Sequence, residues 1–504
     1  MFEIPTLEAL NLVPALPAIS LAFGVCVLLL LDLLLVPKDR KEITAWLALA
    51  GIGVSFVLNL AVFNQTADAF LGMFVADQFS GFLNIVILVG AAISILLSMD
   101  YVKRTQIERG EYYSLMLISV SGMMFMASAN DLVMVFIALE LLSIPLYVLA
   151  AFRAPEPKSE ESGMKYFILG AFSSAFFVYG AALIYGATGT TNLPAIFQAV
   201  AAIVGEGGGA PFLLLVGAGL LVVGLGFKVA VVPFHMWTPD VYEGAPTPVT
   251  AFMSVGAKAG GFAALLRIMA VALPSFVLAD GQTTAAWQQL AWLVAAATLI
   301  LGNIVAIAQS DIKRMLAYSS IAHAGYIFMA VAAAGTQGLA DAAVQAALLY
   351  LLAYTFTNLG AFGVALAVEK DDGTGTRLDD FIGLSKTRPD LALMMALFML
   401  SLTGIPLTAG FLGKFVVFKA TLDAGLVPLA IIGVVTSVIS AFYYVRVIVN
   451  MYLREGDGDP AAGATRYVNW GIYAAAAGTL IIGVFPVVAT SLTDAVTLAA
   501  AVIR

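Results

Sequence analysis

Apolar residues run along this chain in blocks of about 20, and a block of that length is what an α-helix needs to cross a bilayer. Short polar loops separate the blocks. Fourteen membrane helices are predicted, near residues 12–36, 43–63, 77–99, 112–129, 131–152, 163–186, 211–237, 247–273, 286–308, 313–334, 341–368, 389–423, 426–453 and 468–489. No polar stretch is long enough for a separate globular domain. The fold class expected is an all-α integral membrane body.

Composition agrees and excludes several activities. Of 504 residues, 61% are hydrophobic and 11% charged, with a net charge of −8. The single cysteine, Cys26, rules out a disulfide within the chain and a cysteine-ligated iron–sulfur cluster. There is no GxGxxG in a strand–turn–helix setting and no Walker motif, so nothing is built to hold NADH or ATP. The first span carries Asp32 and lacks a basic leader, which reads as a retained helix and not a cleaved signal.

Lys and Arg concentrate in loops on the cytoplasmic side of a membrane. Seventeen of the 24 basic residues fall in alternate loops, among them Lys38, Arg40, Lys103, Arg153, Lys313 and Arg388, whereas the opposite loops 64–76, 187–210, 274–285 and 335–340 contain none. Both termini are therefore predicted on the outer side. Lys419, Arg267 and Arg446 near helix ends read as snorkelling or anchoring groups, and Asp32 as a subunit contact or helix-end feature.

Against this background six ionisable residues lie inside apolar spans: Glu140, Lys228, His235, Lys258, His323 and Lys414. Each such group costs roughly 2.5 to 3.5 kcal/mol or more at the centre of a span, so function is the default reading. Counting along the helix axis at about 1.5 Å per residue, all but His235 fall roughly 14 to 17 Å from one end of their span. That is the middle of a hydrocarbon core about 30 Å thick. Two spans are also interrupted beside a lysine, at Pro233 after Lys228 and at Gly404-Ile405-Pro406-Leu407-Thr408-Ala409-Gly410 before Lys414. Non-helical backbone at depth is tolerated only where protein or water satisfies the freed groups.

A short internal repeat points the same way. Ser128-Ala129-Asn130-Asp131-Leu132 opens the fifth span from outside, and Ala308-Gln309-Ser310-Asp311-Ile312 opens the tenth from inside. The predicted organisation is an N-terminal three-helix segment (1–110), two inverted five-helix repeats (111–273 and 286–455) with broken seventh and twelfth helices, and a C-terminal helix (466–504).

Lysine is the residue to expect where protons are the cargo: burial loosens an ammonium's hold on its proton, and a carboxylate a few ångströms away restores it. Glu140 moving relative to Lys228 is thus a candidate switch, and His323 a candidate relay between Lys258 and Lys414. Plainer readings stand beside these. Glu140 with Lys228 also fits a static buried pair, His323 a satisfied core histidine, and His235, beside Trp237 and Asp240, an interfacial structural role.

The run Phe227-Lys228-Val229-Ala230-Val231-Val232-Pro233-Phe234-His235-Met236-Trp237-Thr238-Pro239-Asp240-Val241-Tyr242-Glu243-Gly244-Ala245-Pro246 closely resembles the antiporter-like membrane subunits of respiratory complex I, as do Ser310 to His323 and Gly404 to Lys414. The wording of Thr238 to Pro246 and lysine at 414 look like the N branch of that family. The resemblance implies two inverted units, proton uptake from the cytoplasm and release outside, with Glu140 tuning Lys228, Lys258 connecting, His323 relaying and Lys414 distal. It also implies that NADH, FMN, iron–sulfur clusters and quinone belong to partner subunits, and that this chain holds no cofactor or metal and meets other membrane subunits, lipid and protons but no nucleic acid. The implied location is a bacterial inner membrane. A subunit of a cation/proton antiporter or a membrane-bound hydrogenase shares this pattern. A stand-alone solute transporter is opposed by lysines strung along the membrane plane.

Overall fold

The computed structural model describes residues 5–37, 40–205, 212–273, 285, 287–456 and 464–498. Lys38, Arg504 and most of the loop 274–285 invoked for orientation lie outside these. Twelve helices among the described residues are long and apolar enough to cross a membrane. The remaining two predicted stretches take other forms. One is a 19-residue helix, Gly110–Ser128; the other is a pair of 15-residue halves, Pro389–Thr403 and Ala409–Asp423.

In chain order the principal helices are α1 (Leu16–Leu34), α2 (Glu42–Val62), α3 (Gln78–Arg104), α4 (Gly110–Ser128), α5 (Leu132–Ala150), α6 (Pro157–Thr188), α7 (Phe212–Val229), α8 (Thr238–Gly244), α9 (Thr247–Arg267), α10 (Gln288–Ile307), α11 (Ile312–Ala334), α12 (Ala340–Val368), α13 (Pro389–Thr403), α14 (Ala409–Asp423), α15 (Val427–Tyr452) and α16 (Arg466–Val484). A small hairpin, Ala67–Ala69 with Phe74–Ala76, joins α2 to α3. Three helices form the centre. The apolar windows of Thr247–Ala272, Ile312–Ala334 and Ala340–Val368 are 100%, 94% and 94% buried, against 28% for both Glu42–Val62 and Pro157–Thr188. Lys258 and His323 are carried by this central trio, so neither faces lipid. Small residues allow the close approach: a methyl group on Gly122 of α4 would lie 2.4 Å from the backbone nitrogen of Leu142 on α5.

The repeat motif has a structural counterpart. Asp131 caps α5 through the Val133 N–H and accepts from the Thr191 hydroxyl, while Leu132 N–H donates to Thr191 O and Leu193 N–H to Asn130 O. Asp311 caps α11 through the Arg314 N–H and accepts from the Thr376 hydroxyl, while Ile312 N–H donates to Thr376 O and Leu378 N–H to Ser310 O. One device thus opens both helices. In each case it ties the helix start to the loop after the following helix.

The seventh predicted span corrects one estimate of depth. It is not helical to Trp237: α7 ends at Val229, where Ala230 turns to a positive φ of 61°. Lys228 therefore lies in the last turn of a half-helix, and counting helical rise from Trp237 does not locate it. Of the helix-end groups, Arg267 pairs with both carboxylate oxygens of Asp77 (2.9 and 3.0 Å), Arg446 donates to Ile307 O and Gln309 O, and Lys419 pairs with Asp423 one turn on. Asp32 is a helix-end feature satisfied within the chain by Lys41 (2.7 Å) and Thr44.

Candidate functional site

Both helix breaks are closed by side chains in place of water. At the first, the freed Val232 N–H donates to the Thr298 hydroxyl (3.0 Å), and the Trp237 indole N–H donates to Phe227 O (3.0 Å). The indole then lies flat on Tyr166, with ring centres 4.5 Å apart and planes 8° apart. The Tyr166 hydroxyl (3.1 Å) and Ser143 Oγ (2.8 Å) accept from the Lys228 ammonium, which is 4% exposed. Trp237 therefore fixes the very ring that holds the lysine.

At the second break Gly404 has φ 95°, a conformation that suits glycine. Gly410 N–H donates to Ser401 Oγ (3.1 Å), and the Lys414 ammonium donates to Thr403 O (2.8 Å) and Ser437 Oγ (2.9 Å). The lysine thus caps the carbonyl end of α13, the negative pole of a half-helix. Lys228, in the last turn of α7, occupies the same kind of end. Lys414 is therefore held by a helix-end carbonyl and a hydroxyl, and Lys228 by two hydroxyls, with no ion pair to either amine among the described residues.

Lys258, 2% exposed, donates to Ser320 O (2.5 Å) and Ser320 Oγ (2.6 Å) and stands 5.5 Å from the centre of the Tyr354 ring. The next residue along, Ser319, shares a hydrogen bond with the Tyr444 hydroxyl (2.5 Å). Tyr444 bonds His323 Nε2 (3.1 Å), and His323 Nδ1 bonds the Tyr350 hydroxyl (2.6 Å). Tyr326, stacked on Tyr350, presents its ring to Lys414 at 4.9 Å. Between His323, Tyr350, Tyr354, Thr357, Ser401 and Gly410 lies a cavity of about 10 Å³ to water centres, room for one water. The buried Tyr354 hydroxyl there has no protein partner. Ser319, Tyr444, His323 and Tyr350 thus form one run of groups that both give and accept protons, with Lys258 held by the residue next to Ser319 at one end and Lys414 reached through ring contacts at the other.

Glu140 and His235 are placed differently. Glu140 is only half-buried and accepts from Ser174 Oγ (2.5 Å); no ion pair with Lys228 exists among the described residues. It is still near, since Ser143, which holds Lys228, is three residues along the same helix face. Partly exposed His235 leaves Nδ1 without a partner and joins none of the hydrogen bonds above. Tyr166, Tyr350, Tyr354, Tyr444, Ser143 and Ser320 complete the site and escape sequence reading. Tyrosine counts as apolar in a hydropathy pattern; the one available signal was Tyr350 and Tyr354 one turn apart on a central helix. For a metal or cofactor, among the described residues no three His, Cys, Asp or Glu side chains converge.

An ion cluster clasps the far end of the first break, at α8. Asp240 accepts from Lys165 and Arg314 (both 2.7 Å), and Glu243 from Lys158 (3.1 Å) and Arg314 (3.0 Å). Arg314 belongs to α11, so the clasp ties α8 to the second half of the chain. Partial burial pushes both carboxyls up, but the hydrogen bonds from these cations outweigh it and hold them below the usual carboxylate range. Because the folded values are depressed, the stabilisation is complete above the ordinary carboxylate pKa and drains away as pH falls through the lowered values. Hydrogen exchange at α8 is expected to be slow at neutral pH and to quicken below about pH 4. In Arg314→Ala the quickening is expected to begin at a higher pH, and an unchanged profile would remove the clasp.

Comparison with known proteins agrees with this geometry. The family described as NADH:quinone oxidoreductase/Mrp antiporter, TM, matches residues 129–440. Two relatives named NADH-quinone oxidoreductase subunit N are 45% identical over 483 residues (Chloroflexus aggregans, 96% of each chain) and, as subunit N 1, 47% identical over 467 (Herpetosiphon aurantiacus, 92% of each). A chain of respiratory complex I from Thermus thermophilus superposes with a TM-score of 0.78 at 34% identity, covering 94% of this chain and 98% of that one.

Proposed function

The chain belongs to the NADH:quinone oxidoreductase/Mrp antiporter family, among subunits named NADH-quinone oxidoreductase subunit N, and from that premise we propose that it is a proton-translocating membrane subunit of a proton-pumping NADH:quinone oxidoreductase. The observation that carries the mechanism is the row of buried amines at broken or central helices, with a run of hydroxyls and one imidazole lying between Lys258 and Lys414. In this reading Glu140 tunes Lys228, Lys258 connects, His323 relays and Lys414 hands protons outward. Glu140, one turn from Ser143, raises the proton affinity of Lys228 when it swings from Ser174 toward the amine; at about 4 Å and an effective dielectric of 20 that is worth roughly 4 kcal/mol, or about three pKa units.

The driving redox chemistry, with NADH, FMN, iron–sulfur clusters and quinone, belongs to partner subunits. The chain crosses a bacterial inner membrane among other membrane subunits, its termini outward, with 111–273 and 286–455 as inverted units. The Asp131 and Asp311 devices support that division, since an odd number of spans separates them and one opens outward, the other inward.

The test is NADH-driven proton uptake by inside-out vesicles carrying Lys228→Ala. Uptake and coupled NADH oxidation are expected to fall by about 100-fold or more, the scale of one positioned proton-transfer group. Native gels are expected to show normal assembly. Wild-type pumping would remove Lys228 from the path.

A further inference from the structure

On the face where the basic loops gather lies a polar cavity of about 200 Å³, room for several waters, lined by residues of α3, α11, the segment Glu243–Pro246 and the loops around 153–158 and 369–374. Its floor is Glu369, only 2% exposed. Glu369 ends α12, where the helix dipole is negative, so a buried carboxylate there is unfavourable twice over. The surroundings compensate it closely. Tyr101 OH donates to Oε1 (3.1 Å), Thr247 donates to Oε2, and the Arg153 guanidinium stands 3.6 Å away. Arg104 donates to the backbone carbonyls of Glu369 (2.6 Å) and Leu366 (3.0 Å).

An acid maintained at such cost at the end of a water-sized cavity is a group with work to do. Thr247 is the first residue of α9, the helix that carries Lys258 about 16 Å further on. Between them Thr250 donates to Tyr242 O, and the buried Tyr242 hydroxyl lies beside Ser320, the residue that holds Lys258. Thr247 and Thr250 at the head of α9, and the Tyr242 hydroxyl beside Ser320, thus stand between the cavity floor and the central row.

Resting on the pump reading above, we propose that this cavity is the inner proton-loading vestibule and that Glu369 is the group that takes the proton from inner water and passes it toward Lys258. The carboxylate oxygen gains one proton from a protonated water, forming an O–H bond as the water's breaks. It returns to carboxylate when that proton leaves toward the Tyr242 and Ser320 hydroxyls. Tyr101, Arg153, Glu156, Lys158, Glu243, Lys313 and Asp372 are the other titratable or charged groups of the cavity, and Arg104 stands on the carboxylate's own backbone.

The experiment uses inside-out vesicles containing the assembled complex, so that the vestibule faces the bath. Glu369→Gln keeps the shape but cannot carry the proton charge. NADH-driven uptake is expected to fall by about 100-fold, more steeply as the bath is made alkaline, with partial rescue in Glu369→Asp. Normal uptake in Glu369→Gln, beside a dead Lys258→Ala in the same assay, overturns the vestibule alone; normal uptake in Lys258→Ala overturns the pump reading itself. Thr374 is exposed at the rim, so a membrane-impermeant thiol reagent can reach Thr374→Cys there. Should Glu369→Gln fail to assemble, that labelling decides: slowed pumping relative to the same variant unlabelled supports the proposal, and unchanged pumping overturns it. Reagent-treated wild type controls for Cys26.

Discussion

Lys258→Ala is expected to stop proton pumping almost entirely, by about 100-fold or more, while the subunit stays in its complex. The amine is the one ionisable group inside the helix whose apolar window is wholly buried, Arg267 being its last residue, and it ties α9 to Ser320 on α11. Without it the Ser320 hydroxyl loses a donor, a loss of about 1 to 3 kcal/mol that a central helix packed on all sides tolerates. What disappears is the amine between the α7 break and the Ser319–Tyr444–His323 run. Lys258→Arg is expected to pump no better, because a guanidinium does not release its proton. NADH-driven uptake in inside-out vesicles, with native gels for assembly, measures both. Uptake within twofold of wild type in either variant would show that protons bypass α9.

Gly410→Ala is expected to be the most damaging small substitution in the chain. A Cβ at Gly410 would lie 1.8 Å from the carbonyl oxygen of Ser401, an overlap with backbone that no rotamer change relieves. Overpacking of this kind costs about 3 kcal/mol or more, and here it pushes apart the two half-helices that Lys414 joins through Thr403. The expected result is little assembled subunit in the membrane and no pumping from what remains. Gly186→Ala, where a methyl group meets open space, is expected to assemble and pump normally. Equal yields of the two proteins on native gels would contradict the packing at the break.

How much of this was legible beforehand follows from where each signal resides. Apolar runs, membrane-centre charges and the Pro233 and Gly404–Gly410 interruptions are local, and they located the helices, Lys258, His323, Lys414 and both breaks. The Asp131 and Asp311 pair was visible as a five-residue likeness, and its meaning, two identical cap-and-loop junctions, emerged only in three dimensions. Counting from Trp237 did not fix the depth of Lys228, because the helix stops at Val229, four residues before the Pro233 that marked the break. The Tyr166, Tyr350, Tyr354 and Tyr444 hydroxyls were hidden for a different reason: partner choice depends on which helices meet, and that is a long-range property. Glu369 falls just past the predicted span that ends at 368, and nothing in its sequence neighbours reveals that Tyr101 and Thr247 close over it.

The small cavity between His323 and Tyr354 also sorts what can travel. On the pump reading proposed above, a hydrated alkali ion does not fit a chamber with room for one water. A hydrogen ion needs only a lone pair at each stop. Selectivity at this point is then a matter of dimensions, imposed by the Tyr350 and Tyr354 rings beside one imidazole.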